Sequence, residues 1–141
     1  EGPYADFFSQ GVQVDNILTL AGQIGVDANG NIPEDLVNQM IVCYDNIKSV
    51  LNHFDCTLDN VIDETWFVTN VDECMDNVEE LFSEREKIYG MKPEVSQTLD
   101  LITQAAWRRG RPDHVRVREF RLPWAHCESF PTCIEHPLPC W

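Results

Sequence analysis

Val61-Ile62-Asp63-Glu64-Thr65-Trp66-Phe67-Val68-Thr69 lies between two long patterns of helical period. Its β-branched and aromatic content predicts a strand. Neighbouring strand side chains point to opposite faces, so only one of the adjacent acids Asp63 and Glu64 can face a given pocket. Before it, Leu36, Met40, Cys43, Ile47, Val50, Leu51 and Phe54 recur at helical spacing. Pro33-Glu34-Asp35 opens that helix, with Pro tolerated in the first turn and acids favoured at the positive end of the dipole. After the strand, Asn70 or Asp72 caps a second helix carrying Val78, Leu81, Phe82, Arg85 and Ile88, and Gly90 ends it. Each large apolar side chain that is fully buried contributes roughly 1.5–3 kcal/mol, so such stripes hold helices to a sheet. Neither helix would be stable alone in water.

Outward from this centre the chain keeps alternating. Val12, Val14, Ile17, Leu18 and Leu20 form two short runs around Asp15-Asn16, a pair suited to a tight hairpin turn. Gly22 and Gly25 bracket Gln23-Ile24, and Asp27 to Asn31 is a polar turn. Thr57-Leu58-Asp59-Asn60 reads as a turn or cap. Pro93 restarts the chain as a strand from Val95 to about residue 103, and Val115 to Leu122 largely alternates as a last strand. The order predicts an α+β domain over residues 1–122, β-β-α-β-α-β-β, with two helices on one sheet face. Recurrent prolines make 123–141 an irregular Pro- and Cys-rich arm.

Net charge is −14 over 141 residues, and it is unevenly spread. Residues 1–106 hold four basic side chains (Lys48, Arg85, Lys87, Lys92) against twenty acids, a net of −16. Residues 107–141 hold six arginines against four acids, a net of +2. An acidic body repels phosphates, so no nucleic-acid partner is expected. No apolar run approaches the roughly 18 residues of a membrane span, and no basic-then-apolar leader opens the chain as given. A cytoplasmic protein without membrane association is the expectation. Cys43, Cys56 and Cys74 read as buried thiols. Cys127-x5-Cys133-x2-His136-x3-Cys140 has the donor types of a zinc site, but its first spacing is long and prolines interrupt it. Free thiols or a disulfide fit better, so neither metal nor cofactor is expected. No G-x-S-x-G turn or P-loop is present.

Three segments together resemble the Rid (YjgF-like, reactive-intermediate deaminase) family. Phe8-Ser9-Gln10-Gly11-Val12 is similar to that family's Tyr-Ser-Gln-Ala-Val, and Leu20-Ala21-Gly22-Gln23-Ile24-Gly25 to its Ser-Gly-Gln-Ile-Gly strand end. Asn46 to Leu51, Leu58 to Val61 and Phe67 to Asn70 resemble its first helix and third strand. The resemblance covers about residues 2–103. It implies a chorismate-mutase-like fold in a homotrimer, with ligand clefts between subunits. It also implies an arginine that binds the carboxylate of a 2-imino or enamine acid, holding it for hydrolysis to the keto acid and ammonia; a guanidinium fork suits that task.

This chain departs from the pattern at the anchor. The family's Pro-x-Arg-Ser aligns with Pro93-Glu94-Val95-Ser96, so Val95 stands at the arginine position. Phe8 replaces a tyrosine, for which Tyr4 lies nearby in another register. Val115-Arg116-Val117-Arg118 inverts the charge of a glutamate-bearing strand, and Arg116 or Arg118 is a candidate replacement cation. The cleft candidates are therefore Tyr4, Phe8, Gln23, Glu64, Val95, Ser96 and Gln97, with no catalytic residue assigned. The leading reading is a small-molecule-binding protein without ordinary deaminase activity, so enzymatic status stays open. The alternatives are a deaminase or hydrolase of altered specificity and an oligomeric interaction module; the ribonuclease and translation-inhibitor roles ascribed to some relatives are disfavoured by the acidic body.

Overall fold

The computed structural model describes residues 6–101 and, as backbone strand, 119–126. A hairpin begins the sheet. β1 (Gly11–Val14) and β2 (Ile17–Leu20) pair antiparallel with Val14 opposite Ile17, leaving Asp15-Asn16 as the turn. Asp15 adopts φ 55°, the left-handed conformation that Asp tolerates. Leu18 and Leu20 are buried, while Val12, Val14 and Ile17 face outward.

Helix α1 (Leu36–Asn52) starts three residues after Pro33, where the sequence pattern opens it. Asp35 is its N-cap rather than a first-turn acid, and accepts from the Asn38 backbone N–H at 2.8 Å. Leu36, Met40, Cys43, Tyr44, Ile47 and Leu51 form its buried stripe. Gln39 is also buried, and its Nε2 donates to the Pro33 carbonyl at 2.8 Å. The preceding loop lies tightly on this turn: a Cβ at Gly25 would stand 2.8 Å from the Gln39 carbonyl oxygen.

After a 3-10 turn capped by Thr57, β3 runs Val61–Val68. The second helical pattern is two helices, α2 (Val71–Asp76), capped by Asn70, and α3 (Val78–Tyr89). Asn77 separates them; its Nδ2 donates to the Glu73 carbonyl at 2.8 Å. Gly90 ends α3 at φ 76°. β4 (Ser96–Leu101) then pairs parallel with β3. The last strand, β5 (Glu119–His126), inserts antiparallel between β2 and β3, giving the order β1-β2-β5-β3-β4.

The position of β5 corrects two expectations. The strand runs through Pro123 to His126, so a domain boundary at 122/123 would cut it; residues 115–118 lie outside the described residues. Two bulges explain how Pro123 is tolerated. Between the Thr65–Arg121 and Asp63–Trp124 pairs β5 has one residue more than β3, and Pro123 falls in that excess, where no ladder hydrogen bond is required of it. Between Asp63–Trp124 and Val61–Ala125 the extra residue is Ile62 on β3, so the register is restored.

α1 and α3 cover the same sheet face, where Val61, Trp66 and Val68 join Leu18, Leu20 and the α1 stripe in one core with Leu81. Cys43 and Cys74 are buried free thiols, as expected. Cys56 is buried but disulfide-bonded rather than a free thiol, with its partner outside the described residues. No helix among the described residues is long and apolar enough to cross a membrane.

Two substitutions test this local reading. Hydrogen bonds from the Asn38 backbone and side chain hold the Asp35 carboxyl below the ordinary aspartate range. A depressed acid stabilises the fold above its unfolded-state value and loses that contribution as pH falls through the folded value. Asp35→Ala therefore costs about 1 kcal/mol in urea unfolding at neutral pH, and the gap from the parent closes in strong acid. Gly25→Ala, which overfills the contact with Gln39, lowers stability by about 1–3 kcal/mol in the same assay.

Candidate functional site

The residues singled out from the sequence fall at three separate places. Phe8 precedes β1 and is 46 % exposed. Gln23 follows β2 and is buried; its Nε2 donates to Gln10 Oε1 at 2.9 Å and to the Ala21 carbonyl at 3.0 Å, an internal clasp. Tyr4, Arg116, Arg118 and the Cys127, Cys133, His136, Cys140 set lie outside the described residues.

Val95, Ser96 and Gln97 form the second place. Val95 is half-buried and packs against the hydrophobic core. Ser96 opens β4 opposite Asp63 and is exposed; Gln97 stands opposite Glu64 and is half-buried. Strand alternation puts Val95 and Gln97 on the helix-covered face and Ser96 on the open face. β1 and β4 are the two edges of the sheet, four strand spacings or about 19 Å apart. Phe8 and the start of β4 therefore belong to opposite edges of the sheet within one chain.

Glu64 is the third place, and it is no part of an open pocket: the side chain is fully enclosed between sheet and helices. Tyr44 Oη of α1 lies 3.1 and 3.0 Å from its two carboxylate oxygens, and Tyr89 Oη of α3 donates to Oε2 at 3.0 Å. Arg85 Nε, also from α3, donates to Oε1 at 2.6 Å. Burial pushes the Glu64 carboxyl up, opposed by the Arg85 guanidinium and the two tyrosine hydroxyls. Burial acts most strongly, to lower Arg85, but Glu64 and Tyr44 together outweigh it and the guanidinium is held charged. With donors converging on both oxygens, the pair is an ion pair. Tyr44 and Tyr89 are pushed up by burial and then by the neighbouring carboxylate, so both stay protonated donors. The rings meet edge to face at 5.8 Å, and the guanidinium carbon lies 5.3 Å from the Tyr89 ring centre.

Such a cluster cannot serve as a solvent-exchanging acid or base. It neutralises a buried charge and ties both helices to β3. Tyr44, Arg85 and Tyr89 were not singled out as site residues from the sequence. The signal was present in Arg85, which interrupts the apolar stripe of the second helical pattern, and in the acid on the inward phase of β3.

With this geometry in place, comparison with known proteins is informative. The family profile described as Endoribonuclease L-PSP matches residues 3–96. RutC family protein BU371 of Buchnera aphidicola (subsp. Acyrthosiphon pisum) is 38 % identical over 71 residues, 50 % of this chain and 52 % of that protein. A second Buchnera relative matches over 54 % of its own length, so the chain spans about half of each. A RutC family protein of Saccharolobus solfataricus is 31 % identical over 102 residues, covering 71 % of this chain and 75 % of the relative. Among solved structures, the YjgF gene product of E. coli has a TM-score of 0.63 at 17 % identity, covering 82 % of this chain and 87 % of that one. E. coli TdcF, solved with bound serine, has a TM-score of 0.63 at 18 % identity, covering 86 % of this chain and 89 % of that one. The structural likeness establishes the α+β fold of the YjgF proteins, and the profile match over 3–96 shows that the chain belongs to the endoribonuclease L-PSP family, which includes the RutC and YjgF proteins.

Proposed function

We propose that this chain is a small-molecule-binding member of the family, with its cleft between copies of a homotrimer and without ordinary 2-imino or enamine acid deaminase activity. The observation that carries the reading is Val95. At the position where the family resemblance places a carboxylate-binding arginine, this chain has an apolar side chain packed on its own core. A carboxylate brought there meets no guanidinium fork, and the adjacent exposed Glu94 disfavours it further. Binding of serine belongs to TdcF; transferred to this chain it would lack its obvious cation.

Assembly through the sheet is supported by the open face of the hairpin, where Val12, Val14 and Ile17 are exposed, with Ile62 exposed on β3. The hairpin's outward apolar side chains are of the kind that support an association surface. The separation of Phe8 from β4 at opposite edges fits a cleft built from two neighbours. A hydrolase of altered specificity would rest on Ser96 and Gln97 alone, because enclosed Glu64 cannot activate a water. The net of −16 over residues 1–106 weighs against ribonuclease action, whatever the family's description.

The test couples the chain to a serine or threonine dehydratase and follows clearance of 2-aminoacrylate. No acceleration over the uncatalysed decay is expected. Clearance by the parent chain at the rate of an arginine-bearing relative overturns the reading. Val95→Arg restores clearance if the rest of the wall is intact, and light scattering of the parent gives the mass of three chains.

A further inference from the structure

The wall at the start of β4 has a cancelled charge behind it. Glu64 and Gln97 stand opposite one another on neighbouring parallel strands, on the helix-covered face, about 4.8 Å apart in strand spacing. Arg85 reaches Glu64 from α3 through Nε at 2.6 Å and is itself only 6 % exposed. Its Nη2 is buried and has no hydrogen-bond partner among the described residues, so the guanidinium is pinned at one end and keeps donor capacity at the other. Gln97 is half-buried, and its amide has no partner among the described residues. Beside Val95 the wall thus presents a neutral amide, with an ion pair one strand behind it.

We propose that the cleft takes an uncharged ligand presenting an amide or carbonyl to Gln97, and that Glu64 sets this preference by pairing with Arg85 and cancelling its charge. The inference rests on the cleft reading above and names the ligand class of that site. A carboxylate near this wall feels the opposite charges of Glu64 and Arg85, which largely cancel at a distance exceeding their separation. Val95 adds no charge; the approach to β4 carries the exposed and oppositely charged Lys92 and Glu94, while Asp63 lies across from Ser96 toward the open face. Arg85 is the buried cation of the described residues and is engaged by Glu64, so desolvating an anion against the Gln97 amide is poorly compensated. An amide, by contrast, matches the donor and acceptor of Gln97. Tyr44 and Tyr89 hold the Glu64 carboxylate in place so that it cannot turn from Arg85. Glu64 acts through Arg85 and touches no ligand; it is a positioning residue that determines specificity.

The matched probes are propionamide and propionate, equal in shape and different in charge. Each is titrated into the full chain while backbone amide resonances of Val95 to Thr98 are followed by NMR. In the parent, propionamide moves these resonances and propionate binds at least tenfold more weakly. Gln97→Leu abolishes the propionamide response while keeping the spectrum of a folded protein. Glu64→Gln uncovers the Arg85 charge and raises propionate affinity relative to propionamide by about tenfold. The double variant Glu64→Leu, Arg85→Met removes both charges and keeps the parent's order of preference. A folded Glu64→Gln variant with an unchanged ratio overturns the inference, as does a double variant that prefers propionate. Should Glu64→Gln not fold, the double variant decides by the same criterion. Probes that leave these resonances unmoved in parent and variants alike sink the cleft reading itself, and the inference with it, a failure distinct from binding with an unchanged ratio.

Discussion

A carboxylate with no exposed surface at the middle of a sheet has to be met by donors from whatever covers it. Glu64 imposes that requirement on both helices: Tyr44 answers from α1, and Arg85 and Tyr89 from α3. Apolar stripes alone leave a helix some freedom to slide or rotate over a sheet, because hydrophobic burial is non-directional. Three donors aimed at two oxygens do not. Removing one partner of such a buried pair costs about 3–5 kcal/mol, whereas replacing the whole set by well-packed apolar side chains can be neutral. The cluster therefore says more about which packing is chosen than about how much stability the core has.

The two bulges serve the same face. Val61 and Glu64 are both buried, although three residues apart on a strictly alternating strand they would point in opposite directions. Ile62, the extra residue on β3, shifts the phase, and the excess on β5 shifts the pairing back. The outcome is a strand whose first residue packs under the helices and whose fourth still reaches Arg85. A single uncompensated bulge would carry β5 out of register with Trp66 and Phe67, at the end of β3 that leads into α2.

What the sequence made legible follows from how local each signal is. Asp15-Asn16, the Leu36 to Leu51 stripe, Asn70 and Gly90 act within one turn or one strand pair, and their elements lie where the residues place them to within a residue or two. Asn77 was harder, because the apolar period continues across it while the side chain bonds back to Glu73. Pro123 misled for a physical reason: proline ends most strands, but a bulge removes the need for its missing N–H. The Glu64–Arg85 contact is non-local, its members 21 positions apart in sequence. Alternation could say that Asp63 and Glu64 diverge, yet which one turns inward depends on the bulge and on the partner strand. An arginine in an apolar stripe reads equally well as a side chain snorkelling to water.

The same non-locality governs the proposed cleft. Family resemblance groups Phe8, Gln23 and the Val95 segment as if they shared a pocket, whereas the sheet order sets β1 and β4 at opposite edges. Within one chain they cannot converge on a small ligand, and Gln23 is already clasped to Gln10. The portion that one chain can supply at the β4 edge is Val95, Ser96 and Gln97, divided between two faces. Ser96 is then turned to the open face, and Val95 with Gln97 to the helix-covered one. Restoring a guanidinium at Val95 would add charge to the second of these without altering the Glu64 cluster, whereas uncovering Arg85 would add charge from behind the strand. The two routes differ in direction of approach. A carboxylate bound by a surface arginine is gripped by a fork of hydrogen bonds, but one attracted by a buried guanidinium is held by field alone and should discriminate little among anions of similar size.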